Sequence, residues 1–174
     1  AAAGLRFFED LNVVVIEEDA FGLVLVSPDD PKLWGPFRTP DQNVLVALCG
    51  RVAFAEKTWQ AAASMPGDGG LACKAIYDLY QSGGVAALEG LNGNFALVVY
   101  DRSAGVCHLL TDRCGMSLAY HRTPIEQALV FCSHPDVLAS VVGEAGNLDL
   151  SSLAGFLTTG HLTFPYTYFH NLRG

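Results

Sequence analysis

Lysine and arginine are scarce in this chain, 10 against 18 aspartates and glutamates in 174 residues, and nowhere do they gather into a stripe that could follow a phosphate backbone. With a formal charge of -8, nucleic acid is not an expected partner. Long apolar runs are missing too: none approaches the length of a bilayer-spanning helix, so no membrane partner is expected. The stretch Ala1 to Leu11 has neither the basic start nor the continuous apolar core of a signal peptide, and the expectation is a cytoplasmic protein. Neither a CxxC nor an HxxxH pair occurs, so no metal site is expected. The 5 cysteines (Cys49, Cys73, Cys107, Cys114 and Cys132) are odd in number, widely spaced and mostly set in apolar runs, and they read as reduced core thiols. Internal repeats, low-complexity tracts and a linker able to divide the chain are absent as well.

What is present is a hydrophobic content of 51%, enough for one domain with a sizeable core. Aliphatic runs bounded by Pro, Asp and Gly at 13–16, 22–26 and 44–48 predict short buried strands, and the Pro/Asp-rich stretch from Ser27 to Asp41 predicts a surface loop. From Glu56 to Leu91 the period changes: Leu71, Ile76, Leu79 and Tyr80 share a helical face that Gly83 and Gly84 end, before a second short helix from Val85 to Leu88. Strands then return at 94–100, 106–111, 117–121 and 128–132 as an antiparallel meander, with turns at 101–105 and 122–124. Pro135 suits the first turn of a helix to about Val141, and Leu148-Asp149-Leu150-Ser151-Ser152 opens another that Gly160 closes. Blocks of strands and of helices argue for a layered α+β fold over a doubly wound sheet. Both ends look cut, and the reading is of a fragment of a longer chain.

Four patches in order carry a resemblance. Leu91 to Asp101 (LNGNFALVVYD) is similar to L-x-G-x-F-A-x-x-x-W-D, with Tyr100 in the aromatic slot. Thr111 to Tyr120 (TDRCGMSLAY) is similar to R-D-R-x-G-x-x-P-L-Y, with Leu118 replacing the proline. Leu129 to Leu138 (LVFCSHPDVL) resembles L-x-F-A-S-E-x-K-A-L, with His134 and Asp136 at its Glu and Lys. Leu148 to His161 resembles the L-D-x-x-x-L-x-x-Y-L-x-x-G-Y stretch, and Tyr166 to Gly174 continues the match. Together they resemble the glutamine amidotransferase domain at the N-terminus of asparagine synthetase and its β-lactam-forming relatives. The resemblance is firm from Leu91 onward and rests on pattern before it. Gly93 and Gly115 also suit tight turns in their own right, and Asp112-Arg113 reads as a salt-bridged pair at a strand end.

The resemblance implies an N-terminal-nucleophile hydrolase fold, a four-layer αββα sandwich of two antiparallel sheets. It implies a glutaminase-like domain over 1–147, with 148–174 beginning the connection to a C-terminal synthetase domain. It also names the chemistry expected of such a fold. An N-terminal Cys attacks the glutamine amide with its own α-amino group as base; here residue 1 is Ala1. After the strand 44–48 the family has N-G-E, an oxyanion hole followed by a carboxylate for the substrate ammonium, and this chain has Cys49-Gly50-Arg51. Gly50 keeps a backbone N–H, a thiol cannot replace the amide donor, and Arg51 reverses the charge.

Where the family has S-D-x-E this chain has no carboxylate in Gly69 to Lys74, and Arg38-Thr39-Pro40-Asp41 echoes its R-G-P-D loop but sits late relative to the strands. Cys49 reads as a buried inert thiol, and none of the five histidines as a ligand. An acidic residue of the Pro/Asp-rich loop (Asp29, Asp30 or Asp41), or a small anion, is expected beside Arg51. The expected function is that of a glutaminase-like domain without glutaminase activity, scaffolding an ATP-dependent amide-forming domain. ATP and Mg are expected only in that C-terminal domain, with no cofactor in this chain; a homodimer is possible on the same reading. Two alternatives stand beside it: an active glutamine-hydrolysing asparagine synthetase domain whose Cys precedes Ala1, and a carboxylate-binding module. Phe156, Leu157, Leu162 and Phe164 are the expected apolar face toward a following domain, and self-association is expected if it is bare.

Overall fold

Gly50 and Gly93 explain how the longest strands pair. At both the backbone takes a positive φ, +96° and +146°, and a β-carbon on either would lie 2.2 and 2.1 Å from the carbonyl oxygens of Asn94 and Arg51. Only glycine lets the two strands close to this distance. The computed structural model describes residues 11–18, 21–27, 30–122 and 129–174, which divide into two compact units at Ser117–Leu118. The expected turn at 122–124 and the start of the strand at Ala128 lie partly outside them, as do Ala1 and Asp29.

In the first unit β1 (Asn12–Glu17) and β2 (Gly22–Ser27) form an antiparallel hairpin, with Val14 opposite Leu25. A four-stranded antiparallel sheet follows, in the order β3 (Phe37–Arg38), β4 (Val44–Ala53), β5 (Asn92–Asp101), β6 (Val106–Thr111). Its core face carries Val44, Val46, Leu48, Val52, Phe95, Leu97 and Val99, every second residue of β4 and β5, as strand pleating requires.

Against that face pack α2 (Glu56–Ala63) and α3 (Leu71–Gly83), the latter burying Ala72, Cys73 and Ile76. The 3₁₀ turn Gly84–Leu88 then leads into β5. The Ser27–Asp41 region is not loop throughout. It holds α1 (Pro31–Trp34), with Pro31 in the first turn and the Asp30 carboxylate accepting from Lys32 N at 2.9 Å.

The second unit is built on a three-stranded antiparallel sheet, β8 (Phe131–Cys132), β7 (Tyr120–Arg122), β9 (Leu172–Arg173), with α4 (Pro135–Val141) and α5 (Leu150–Thr159). The expected single meander is therefore two sheets. Asp112 divides them by gathering the turn after β6: its carboxylate accepts from the backbone N–H groups of Cys114, Met116 and Ser117 at 3.0, 3.1 and 2.7 Å. The fold is α+β, as expected. Leu138 and Ala139 of α4 share a core with Phe169 and Leu172, so residues from 148 onward are packed with those before 147.

Glu144 ties the second unit from inside. It accepts from Arg122 at 2.8 Å, from Asn147 at 2.8 Å and from Asn171 at 3.0 Å while almost fully buried. A buried carboxylate is tolerable because each oxygen is bonded. The hydrogen bonds from Asn147 and Asn171, with the Arg122 charge, hold its carboxyl below the usual range.

Candidate functional site

Cys49, Gly50 and Arg51 do not follow a strand end. They lie inside β4, opposite Ala96, Phe95 and Asn94, because the Gly50/Gly93 contact lets the ladder run on and Val52 is anchored in the core. Nor is Cys49 buried: it is exposed, off the core face that Leu48 occupies. Of the five thiols only Cys73 is fully enclosed, and burial pushes it up to about 12; Cys114 is exposed, so the cysteines are not uniformly core thiols.

The Arg51 guanidinium lies over the Trp34 ring, 4.3 Å from its centroid, and its Nη1 donates to Gly50 O at 3.4 Å. Trp34 meets Trp59 edge-on at 6.2 Å, and Phe54 meets Trp59 at 5.0 Å. Trp34 is carried to the start of α3 by a backbone contact: Gly70 N donates to Gly35 O at 3.2 Å, and a β-carbon on Gly70 would sit 2.4 Å from that oxygen. Arg51, Trp34 and the first residues of α3 are thus linked through Gly35 and Gly70.

Two of the three acidic residues expected beside Arg51 are committed locally. Asp30 caps α1, and Asp41 closes the β3–β4 turn by accepting from Thr39 Oγ1, Asn43 N and Asn43 Nδ2. Those bonds hold the Asp41 carboxyl below its ordinary range, that from Thr39 foremost. At the start of α3, Lys74 occupies the stretch where a carboxylate was missing in sequence. Its ammonium is buried and donates to Met65 O at 3.2 Å and Gly67 O at 2.5 Å, and it faces the Phe37 ring.

An open cleft of the first unit lies elsewhere. It measures about 450 Å³ between β1 and β3, with Phe37 and Leu45 as floor and Glu17, Arg38 and Asp68 among its lining residues. Arg38 forms an ion pair with Glu18. Leu45 precedes Arg51 by six residues of one strand, about 20 Å at the usual rise, so the cleft and the Arg51 segment are separate. Of the Arg38-Thr39-Pro40-Asp41 echo, Arg38 lines this cleft, which is not beside Gly50.

Asp112 and Arg113 are not an ion pair. The carboxylate is taken by three backbone amides, with Met116 N the main cause of its lowered pKa, and Arg113 Nη2 donates to Glu89 O at 2.6 Å. Among the described residues no group of three or more His, Cys, Asp or Glu side chains could hold a metal. His108 tilts against Tyr80 at 5.9 Å, and His134 Nδ1 lies 2.9 Å from Ser133 Oγ.

Sequence reasoning missed Trp34 and Lys74. Asp30-Pro31, a capping residue followed by proline, was the available signal for the helix that carries Trp34. Lys74 carried no such signal, since only the folded loop brings two carbonyls to its ammonium.

Residues 60–174 match the family model of the glutamine amidotransferase domain. No curated protein matches the chain.

Proposed function

The chain belongs to the glutamine amidotransferase domain family, and we propose that it is a member without glutamine-hydrolysing activity, serving as scaffold to an asparagine-synthetase-like, ATP-dependent amide-forming domain. The fold we propose is the family's four-layer αββα sandwich, with ATP and Mg bound only by the synthetase domain. The observation that carries this reading is Arg51, whose guanidinium stands over Trp34 in the segment Cys49-Gly50-Arg51.

Glutamine presents an ammonium and an amide. Hydrolysis needs a carboxylate near the first and donors for the oxyanion that develops on the second. A guanidinium about 4 Å from an ammonium is unfavourable by roughly 4 kcal/mol at the effective dielectric of a protein surface, where the family carboxylate would contribute about as much attraction. The Cys49 thiol removes a strong donor as well, and losing one such donor costs about 10²–10³ in rate. Each change alone suppresses turnover, and together they leave little binding and little stabilisation.

The test is ammonia release from glutamine, with labelling by diazo-oxo-norleucine in parallel. No ammonia above background and no labelled cysteine are expected. Turnover, or a labelled cysteine, would sink the reading. Arg51→Glu tests the charge separately: recovered glutamine binding without turnover would show that charge closed the pocket while the chemistry stayed lost.

A further inference from the structure

The cleft between β1 and β3 is separate from the Arg51 segment, and its lining combines hydrocarbon with carboxylate. All of its lining residues belong to the first unit. Val15, Pro36 and Leu45 supply hydrocarbon. Val15 is 52% exposed, an apolar side chain left to water, and strand pleating puts the exposed Glu17 on the same face of β1. The second carboxylate, Asp68, comes from the turn between α2 and α3. That turn is held from both sides. Asp68 stands between Gly67 and Gly69, whose φ angles are +96° and +138°. Gly67 O accepts from the buried Lys74 ammonium, and Gly69 pairs with Phe37 in an isolated antiparallel bridge, where a β-carbon would lie 2.6 Å from Pro36 O. The backbone around Asp68 is thus fixed while Asp68 itself stays exposed.

We propose that this cleft binds a primary ammonium group carried on a short hydrocarbon chain. Charge sets the sign of the ligand. Glu17 and Asp68 are two carboxylates, whereas the Arg38 guanidinium in the same lining is neutralised by its ion pair with Glu18. An anion is repelled there, and a protein of net charge -8 concentrates cations near its surface.

The hydrocarbon sets the kind of cation. A divalent metal ion seeks oxygen ligands and gains nothing from Val15, Pro36 and Leu45, and among the described residues no three His, Cys, Asp or Glu side chains are grouped to hold one. A neutral apolar molecule would take water from the two carboxylates and return no donor. An alkylammonium meets both demands: its N–H groups donate to carboxylate with the charge alongside, and its methylenes leave water against the apolar wall. Because the turn carrying Asp68 is already ordered, binding has less backbone to immobilise. The cleft volume of about 450 Å³ falls within the roughly 300–1,000 Å³ of small-molecule sites.

Titration of the 174-residue chain with n-hexylamine at constant pH and roughly 0.1 M salt, followed by backbone amide NMR, tests the proposal. Saturable shifts are expected at the amides of Glu17, Arg38 and Gly69. Methylamine, 1-hexanol and hexanoate, which lack the chain, the charge or its sign, are each expected to bind at least about tenfold more weakly. Glu17→Gln with Asp68→Asn is expected to raise the hexylamine dissociation constant at least about tenfold. Asp78→Asn with Glu89→Gln removes the same two charges outside the cleft and is expected to leave it unchanged. All four of these residues are exposed, so circular dichroism should show both variants folded. Absence of saturable shifts at the three amides overturns the proposal. So does binding of any of the three analogues as tight as that of hexylamine, or equal weakening by the two double variants.

Discussion

Substituting alanine at Gly50 separates two costs that usually arrive together. One is conformational: a residue with a β-carbon at positive φ costs about 1–2 kcal/mol. The other is steric. At Gly50 the added carbon would lie 2.2 Å from Asn94 O, and real β-carbons essentially never come within 3.0 Å of a neighbour. The obstacle is backbone held in the β4–β5 ladder, so the strands must part by about 0.8 Å in the middle of their pairing, weakening hydrogen bonds on either side.

Gly105 supplies the reference, with φ +65° and nothing within 4 Å of its β-carbon position. Gly105→Ala is expected to cost about 1 kcal/mol and Gly50→Ala about 3–4, the excess being two or three weakened ladder bonds at roughly 1 kcal/mol each. Urea unfolding followed by tryptophan emission reads both. At a slope of about 2 kcal/mol per molar, the two midpoints should differ by at least 1 M. Equal shifts for the two variants would refute the close-approach argument.

Further outcomes follow from individual groups. Arg51→Ala should lower stability by no more than about 1 kcal/mol, as for an exposed cation–π pair, and should change the emission of Trp34 in a Trp59→Phe background. Native-state alkylation at pH 8 should modify Cys49 and Cys114 well before Cys73, whose thiol is fully enclosed and pushed up to about 12; equal rates for all three would contradict the burial pattern. Asp112 and Glu144 both have folded-state pKa values lowered by hydrogen bonds, so their contribution is present above the unfolded carboxylate range and lost as pH falls through the folded values. Stability should therefore decline on the acid side below about pH 4–5, and Glu144→Gln and Asp112→Asn should flatten that limb.

Legibility in the sequence tracks how local each signal is. The helix α5 could be read to its ends because Asp149 accepts from Ser151 N and Ser152 N and Gly160 adopts φ 79° beyond it, both decided within a turn. The strand β5 was legible for a similar reason, its alternating Phe95, Leu97 and Val99 all reaching the core. Cys49-Gly50-Arg51 was recognised as a segment but placed at a strand end. The continuation to Ala53 depends on Gly93, more than forty residues away, which no local pattern reports. Asp112 and Arg113 looked like a pair because adjacent opposite charges suggest one, whereas three backbone donors from the following turn hold that carboxylate. The partner of Arg51 was sought among acids, and the ring beneath it is carried by a one-turn helix in a stretch read as loop.

The pairing of β4 with β5 also bears on how the first unit assembles. Ala53 faces Asn92 and Val44 faces Asp101, so every contact of that ladder spans roughly forty to sixty residues, whereas β5 and β6 join through the short turn between Asp101 and Val106. Closing the long loop costs chain entropy before any contact across it is gained. The β5–β6 hairpin is therefore the early structure, and β4 docks onto it late. Gly50, in the late strand, then affects mainly the rate at which the sheet opens, and the turn after Asp101 mainly the rate at which it forms.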